Sequence, residues 1–318
     1  MNRLSTDPVA LFKAASEGQR LALARLMSFV ERGGDEARLL GAHIYSQVGA
    51  AYTVGMTGAP GSGKSSLTAA LASVVRSEEQ RLAILAVDPS SPFTGGAILG
   101  DRVRMQDHVT DDGIYIRSMA TRGHLGGLSL ATPQAIRVLD ALGWPWVLVE
   151  TVGVGQVEVD IAGAADTTIV VVNPGWGDAV QANKAGLMEV ADIFVINKSD
   201  RKGADDTRRD IQQMLELSSL GDWEPPIVMT VAIDQIGAGE LWEMVGEHRS
   251  HLQASGELEL RRSRRIDAEL TEIVNRSLEQ RVITTMNRPE TADLKEKLAR
   301  GEIDPYAAAA QLIDLADG

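Results

Sequence analysis

Lys64 and Ser65 close the octapeptide GAPGSGKS (Gly58–Ser65), which follows the apolar run YTVGMT (Tyr52–Thr57) and leads into KSSLTAALASVVR (Lys64–Arg76). A glycine, four free positions and then Gly-Lys-Ser, set between a strand and a helix, is the spacing that cradles phosphates. Gly58, Gly61 and Gly63 carry no Cβ, so the backbone through Ala59, Pro60 and Ser62 can turn tightly and aim its N–H groups inward at oxygens. The helix then begins at the anion, where its dipole and free N–H groups favour negative charge. Lys64 is placed to reach the β- and γ-phosphates and Ser65 to ligate Mg²⁺, with Ser66 beside them in the same cradle.

A second set of residues reads as a base-recognition site. Asn197-Lys198-Ser199-Asp200 follows directly on the apolar run DIFVI. The Asp200 carboxylate can accept from guanine N1–H and the exocyclic amine, a donor pair that adenine lacks, and a buried acceptor left unpaired is costly. A third loop, TVAIDQIG (Thr230–Gly237), would bring Val231, Ala232 and Ile233 to the base, with the Ala232 N–H a candidate for guanine O6. Glu150-Thr151-Val152-Gly153 matches the D-x-x-G of Ras-like GTPases with one extra methylene in its carboxylate. Its carboxylate would join the Mg²⁺ shell and the Gly153 N–H would sense the γ-phosphate. Val154 stands where Ras-like proteins place the Gln that orients attacking water, so hydrolysis by the chain alone should be slow; Gln156 is two places further on.

The elements that must position these residues follow from the apolar pattern. Strands are expected at YTVGMT (from 52), LAILAVD (82), GIYIRSM (113), WVLVET (146), TTIVVVN (167), DIFVIN (192) and PIVMTV (226). Several are continuous β-branched runs, as in strands buried on both faces of a parallel sheet. Helices are expected between them at 64–76, 133–142, 180–190, 205–219 and 239–254. The fold class is therefore α/β, a doubly wound P-loop NTPase with a mainly parallel sheet flanked by helices and its site at the carboxyl ends of the strands. Residues 1–50 read as a helical extension, with apolar residues spaced by three and four, and 51–254 as the nucleotide domain. Residues 255–318 read as a charged helical arm, too thin in apolar residues for a core of its own and suited to packing on a second copy of the chain.

The chain has 318 residues and a net charge of −13, a poor field for nucleic acid or an anionic membrane. It has no cysteine, which excludes disulfides and thiolate chemistry, and a cytoplasmic location fits. No run approaches the length of a membrane span. His248 and His251 are spaced to share one side of a helix, and the pair reads as an exposed helix face rather than a metal site.

Four longer stretches carry a resemblance. VDPSSPFTGGAILGDRVRM (Val87–Met105), SMATRGHLGGLS (Ser118–Ser129), VETVGVGQVEVDI (Val149–Ile161) and GDAVQANKAGLMEVADIFVINKSD (Gly177–Asp200) resemble the MeaB/ArgK-type GTPases over essentially the whole chain. The resemblance implies a GTP-hydrolysing chaperone that protects, or gates cofactor loading of, an adenosylcobalamin-dependent acyl-CoA mutase such as methylmalonyl-CoA mutase. It implies GTP/GDP and Mg²⁺ as ligands, a homodimer formed through the C-terminal arm, and an adenosyltransferase as a further candidate partner. Asp88, at the end of the second strand, and Asp101, in GDRVRM, would join Glu150 and Ser65 around Mg²⁺, a hard ion that prefers oxygen. Gly177–Lys184 would be the mobile loop that couples to the mutase, with Asp178, Gln181 and Lys184 retained and Ala179 and Asn183 departing from the family pattern. Two alternatives remain at this stage: a metal-insertion GTPase and a P-loop small-molecule kinase. The first would bring His- or Cys-rich tracts, and the second would prefer adenine.

Overall fold

The computed structural model of the chain describes residues 7–88, 110–120, 131–151, 161, 163–175, 190–217 and 221–317. Among them the expected strands all form: β1 (Tyr52–Thr57), β2 (Leu82–Asp88), β3 (Ile114–Ala120), β4 (Trp146–Thr151), β5 (Thr167–Val172), β6 (Ile193–Asn197) and β7 (Ile227–Thr230). They make one seven-stranded sheet in the order β3-β2-β4-β1-β5-β6-β7, parallel at every pairing. The expected helices appear as α4 (Lys64–Ser77), α5 (Ala131–Ala141), α6 (Ala204–Glu216) and α7 (Ala238–Ser255). The helix expected at 180–190 lies almost wholly outside the described residues.

The absence of polar alternation in the strands has a direct cause. Val54, Met56, Leu148, Val171 and Val195 point to one face and pack with Leu67, Leu71 and Val75 of α4 and Leu241 and Val245 of α7. Their neighbours Val147 and Val149 point to the other face, as do Val170, Val172, Phe194 and Ile196, which pack on α6. Both faces are dry along β1, β2, β4, β5 and β6, so positions there must be apolar or hydrogen-bonded, while the edge strands β3 and β7 are partly exposed.

Upstream of β1 the chain folds as α1 (Pro8–Ser16), α2 (Arg20–Arg32) and α3 (Asp35–Ile44). Leu11, Leu26, Met27, Leu40 and Ile44 share the core of Val147, Val149 and Leu139. Two polar contacts fix this layer. Arg117 of β3 donates to Glu31 of α2 at 2.6 Å. The Asp140 carboxylate, at the end of α5, accepts the N–H groups of Gly49, Ala50 and Ala51 at 2.5, 3.2 and 2.9 Å and so sets how the chain enters β1.

By density of contacts the chain divides into residues 1–261 and 262–318. α8 (Glu257–Met286) runs through that boundary, and α9 (Ala292–Ala299) and α10 (Pro305–Asp317) follow it. Within the second unit Ile266, Leu270, Ile273 and Leu278 of α8 are each about half exposed, at three- to five-residue spacing. No helix among the described residues is long and apolar enough to cross a membrane.

His248 corrects the sequence reading. It does not lie on an exposed helix face; it is fully buried. Its Nδ1 lies 2.8 Å from Thr167 Oγ1, and its Nε2 lies 3.3 Å from Asp192, whose carboxylate is also 2.9 Å from Arg261. His251 stacks beside it on Trp223, 5.3 Å between ring centroids. The imidazole is a buried core group at the amino ends of the strands, hydrogen-bonded through Nδ1 while Nε2 faces the Asp192 carboxylate without a hydrogen bond. Sequence spacing could not reveal this, because its partners come from distant elements.

Candidate nucleotide site

At the carboxyl end of β1 the chain turns through Gly58 at φ 138° and Gly63 at φ 94° before α4 begins at Lys64. Neither glycine could carry a side chain. A Cβ on Gly58 would come 2.0 Å from the Val171 carbonyl oxygen, and one on Gly63 would come 2.2 Å from Asn197 Nδ2. The loop is thus pressed against β5 and β6, which holds its backbone in one shape. The N-cap residue Gly63 brings no side-chain cap to the start of α4, and a helix start of this kind favours an anion through its dipole and N–H groups. The Ser62 hydroxyl, in the middle of the loop, is buried with no hydrogen-bond partner.

Lys64 is buried, and its ammonium donates to the carbonyl oxygens of Gly58 at 2.6 Å and Ala59 at 3.1 Å. It arches back over the loop rather than out to solvent. Ser65 is also buried, and its hydroxyl donates to Glu150 Oε1 at 2.6 Å. Glu150 sits at the end of β4, beside Met56 of β1 and Ala86 of β2, and is 1% exposed. Its other oxygen accepts from Thr68 Oγ1 at 3.0 Å. Thr68 escaped the sequence reading, although its position three residues after Ser65 on one helix places both hydroxyls on the same side.

The second loop is joined to the first by Asn197. Its amide nitrogen donates to the Ser62 carbonyl at 2.8 Å, and its Oδ1 accepts from Thr230 Oγ1 and from the Ala232 N–H, both at 3.1 Å. One side chain at the end of β6 therefore ties together the phosphate loop, its own loop and the one after β7. Lys198 is held at φ 58° and donates from Nζ to the Gly61 carbonyl at 2.6 Å. Asp200 is exposed at the mouth, and its loop is anchored by the Ser199 N–H on the Thr230 carbonyl at 3.0 Å. Val231 and Ala232 are buried, while Ile233 is 81% exposed.

The backbone of Asp88 ends β2 in register with Ala120, two residues past the Ala86–Glu150 pairing; its side chain is not among the described ones. Asp101, Gly153, Asp178, Gln181 and Lys184 lie outside the described residues, as do Val154 and Gln156. Among the described residues no three His, Cys, Asp or Glu side chains come together as a metal site. The chemistry present is therefore that of a phosphate cradle, a buried cation and a hydroxyl–carboxylate pair, with Asn197 bracing the adjoining loops.

A parallel sheet whose central strand feeds a glycine loop and an uncapped helix start, with a second loop braced against it, defines a P-loop nucleotide hydrolase. The model of the family described as "Methylmalonyl Co-A mutase-associated GTPase MeaB" matches residues 23–287, and the chain belongs to that family. It is similar to GTPase ArgK of Escherichia coli, 37% identical over 254 residues that cover 76% of each chain. It is similar also to a mouse protein named methylmalonic aciduria type A homolog, mitochondrial, 31% identical over 323 residues that cover 95% of this chain and 78% of the other. A GTPase-named protein of Pyrococcus abyssi is 49% identical over 308 residues, 95% of each chain. Among solved structures, one titled LAO/AO transport system kinase superposes with a TM-score of 0.69 over the whole of both chains at 24% identity, which establishes the shared fold. The protein is a GTPase, with GTP and GDP as its nucleotides.

Proposed function

We propose that this GTPase is a chaperone of an adenosylcobalamin-dependent acyl-CoA mutase, methylmalonyl-CoA mutase or a relative, that it works with Mg²⁺, and that it acts as a homodimer. The observation that carries the reading is the family match across residues 23–287, which spans the loops joined by Asn197. The similarity to the mouse protein supports it.

The residues suit the chemistry. Lys64 would exchange the carbonyls of Gly58 and Ala59 for the β- and γ-phosphate oxygens, and the N–H groups at the start of α4 would take the rest of the phosphate charge. The donor set at Ser65, Glu150 and the end of β2 is oxygen-rich and suits a hard cation. Mg²⁺ held there would neutralise charge developing on the phosphate oxygens. Asp200 would accept the two guanine donors, and the Ala232 N–H, now on Asn197 Oδ1, lies in the same loop cluster. The exposed stripe Ile266, Leu270, Ile273 and Leu278 would be covered by a second copy of the chain.

Slow basal hydrolysis is expected, and a docking mutase that completes the site could raise it by about 10³–10⁵. The coupling segment would be Gly177–Lys184, through Asp178, Gln181 and Lys184. The test is GTP turnover with and without purified candidate mutases. Acceleration by at least one of them is expected, and Lys184→Ala should keep basal turnover but lose most of that acceleration. Unchanged turnover with every mutase tested would overturn the chaperone reading.

A further inference from the structure

We propose that Thr68 is a positioning residue that holds the Glu150 carboxylate against the Ser65 hydroxyl and so sets the Mg²⁺ affinity of the nucleotide site. The inference rests on the Mg²⁺ and GTP reading above and adds a residue to it.

The geometry is a closed clamp. Ser65 and Thr68 are separated by three positions on α4, and both hydroxyls donate to one carboxylate, at 2.6 Å to Oε1 and 3.0 Å to Oε2. Thr68 is fully buried, and its hydroxyl also lies 3.5 Å from the sulfur of Met56, the residue in register with Glu150 on the neighbouring strand. It sits beneath the site, on the core side of Ser65 and away from the phosphate loop.

A glutamate at this position needs such an anchor. Its carboxylate has one more rotatable bond than an aspartate and is 1% exposed, so water cannot hold the second oxygen. The hydrogen bond from Thr68 fixes the plane of the carboxylate and presents Oε1 to Ser65. A serine that gives its proton to a carboxylate turns its lone pairs toward the opening, where a cation would bind, and gains basicity from that partner. Without the Thr68 hydroxyl, Oε2 loses this hydrogen bond, and the orientation in which the carboxylate meets Ser65 is less tightly fixed. The Thr68 hydroxyl bonds to Glu150 and Met56 rather than to the phosphate loop, so the effect should be confined to the Mg²⁺-dependent part of nucleotide binding.

The experiment measures the affinity of a fluorescent GDP analogue across a MgCl₂ titration and in excess EDTA, for wild type, Thr68→Val and Thr68→Ser. Valine keeps the shape and removes the hydroxyl. The expected result is a rise of about tenfold in the Mg²⁺ concentration needed for half-maximal affinity in Thr68→Val. Affinity in EDTA should be unchanged, and Thr68→Ser should restore the wild-type requirement. A wild-type Mg²⁺ requirement in Thr68→Val would overturn the proposal, even if its melting temperature fell, because a purely structural threonine would give that pattern. If Thr68→Val does not fold, Thr68→Cys, of similar size and a weak donor, is compared with Thr68→Ser, and equal Mg²⁺ requirements in those two overturn it. A wild-type affinity that ignores Mg²⁺ altogether would instead defeat the Mg²⁺ reading of the site.

Discussion

The two ends of the sheet each bury a carboxylate, and they treat it in opposite ways. At the amino ends of the strands Asp192 accepts from the Thr168 N–H at 2.8 Å, lies 2.9 Å from Arg261 and faces the His248 imidazole. His248 continues through Thr167 Oγ1 to the Tyr52 hydroxyl at 2.7 Å, where burial pushes the phenol pKa far above its usual value. At the carboxyl ends Glu150 is held by hydroxyls of α4, the helix that begins at the phosphate loop. The first carboxylate is finished by protein groups, cation included. The second is tied to the hydroxyl of Ser65, the residue that closes the phosphate-loop motif. The contrast suggests that one pole keeps the fold and the other is spent on the ligand.

That contrast can be broken by experiment. Lys64→Ala at the nucleotide pole should lower GTP turnover by about 10³-fold or more while leaving the melting temperature within about 2 °C. Retention of full turnover would defeat the phosphate-loop reading. Asp192→Ala at the other pole should do the reverse. It should cost about 2–3 kcal/mol of stability, less than for a fully buried pair because Arg261 is 31% exposed, and should lower the melting temperature by ~5–10 °C with turnover per folded molecule near normal. Equal losses of activity and stability in either variant would mean that the two poles are not separable.

Smaller effects sharpen the picture. Asp200→Asn should weaken GTP binding by about 1.5–3 kcal/mol and shift preference toward xanthine nucleotides, whose O2 accepts where the guanine amine donates. Unchanged guanine preference in a competition assay would remove Asp200 from the base site. Ser65→Ala should mainly raise the Mg²⁺ requirement. Light scattering should give the proposed dimer mass for wild type and a monomer mass for a chain carrying Leu270→Asp and Ile273→Asp; a monomeric wild type would overturn the dimer reading, and a dimeric double variant would remove this stripe from the contact.

The inner strands are legible in the sequence because both of their faces are dry. TTIVVV and WVLVET could not be mistaken for half-exposed strands, and the glycine spacing is dictated by the approach of Val171 and Asn197. What stayed hidden was long-range pairing of polar groups. Nothing local to His248 shows that Asp192 and Thr167 will meet it, so its burial is not legible from the helix spacing. Arg117 and Glu31 are likewise ordinary surface letters until β3 and α2 pack together. Asn197 was read for the base, and its structural work in joining three loops is visible only in space. Thr68 is the intermediate case: helical spacing from Ser65 was enough to suspect it, once Glu150 was known to lie opposite.

The Asp140 clamp on Gly49, Ala50 and Ala51 bears on modularity. The chain from α1 to α3 looks like a detachable appendage in a linear diagram, yet its apolar residues complete the same core as Val147 and Val149, and its exit is bolted to α5. A truncated chain starting at Tyr52 would leave the half-buried Asp140 carboxylate without these three donors and an oily wall facing water. Proteases should therefore spare this junction in the folded protein, and evolution could not trade the extension for another without also recutting the wall of the nucleotide domain.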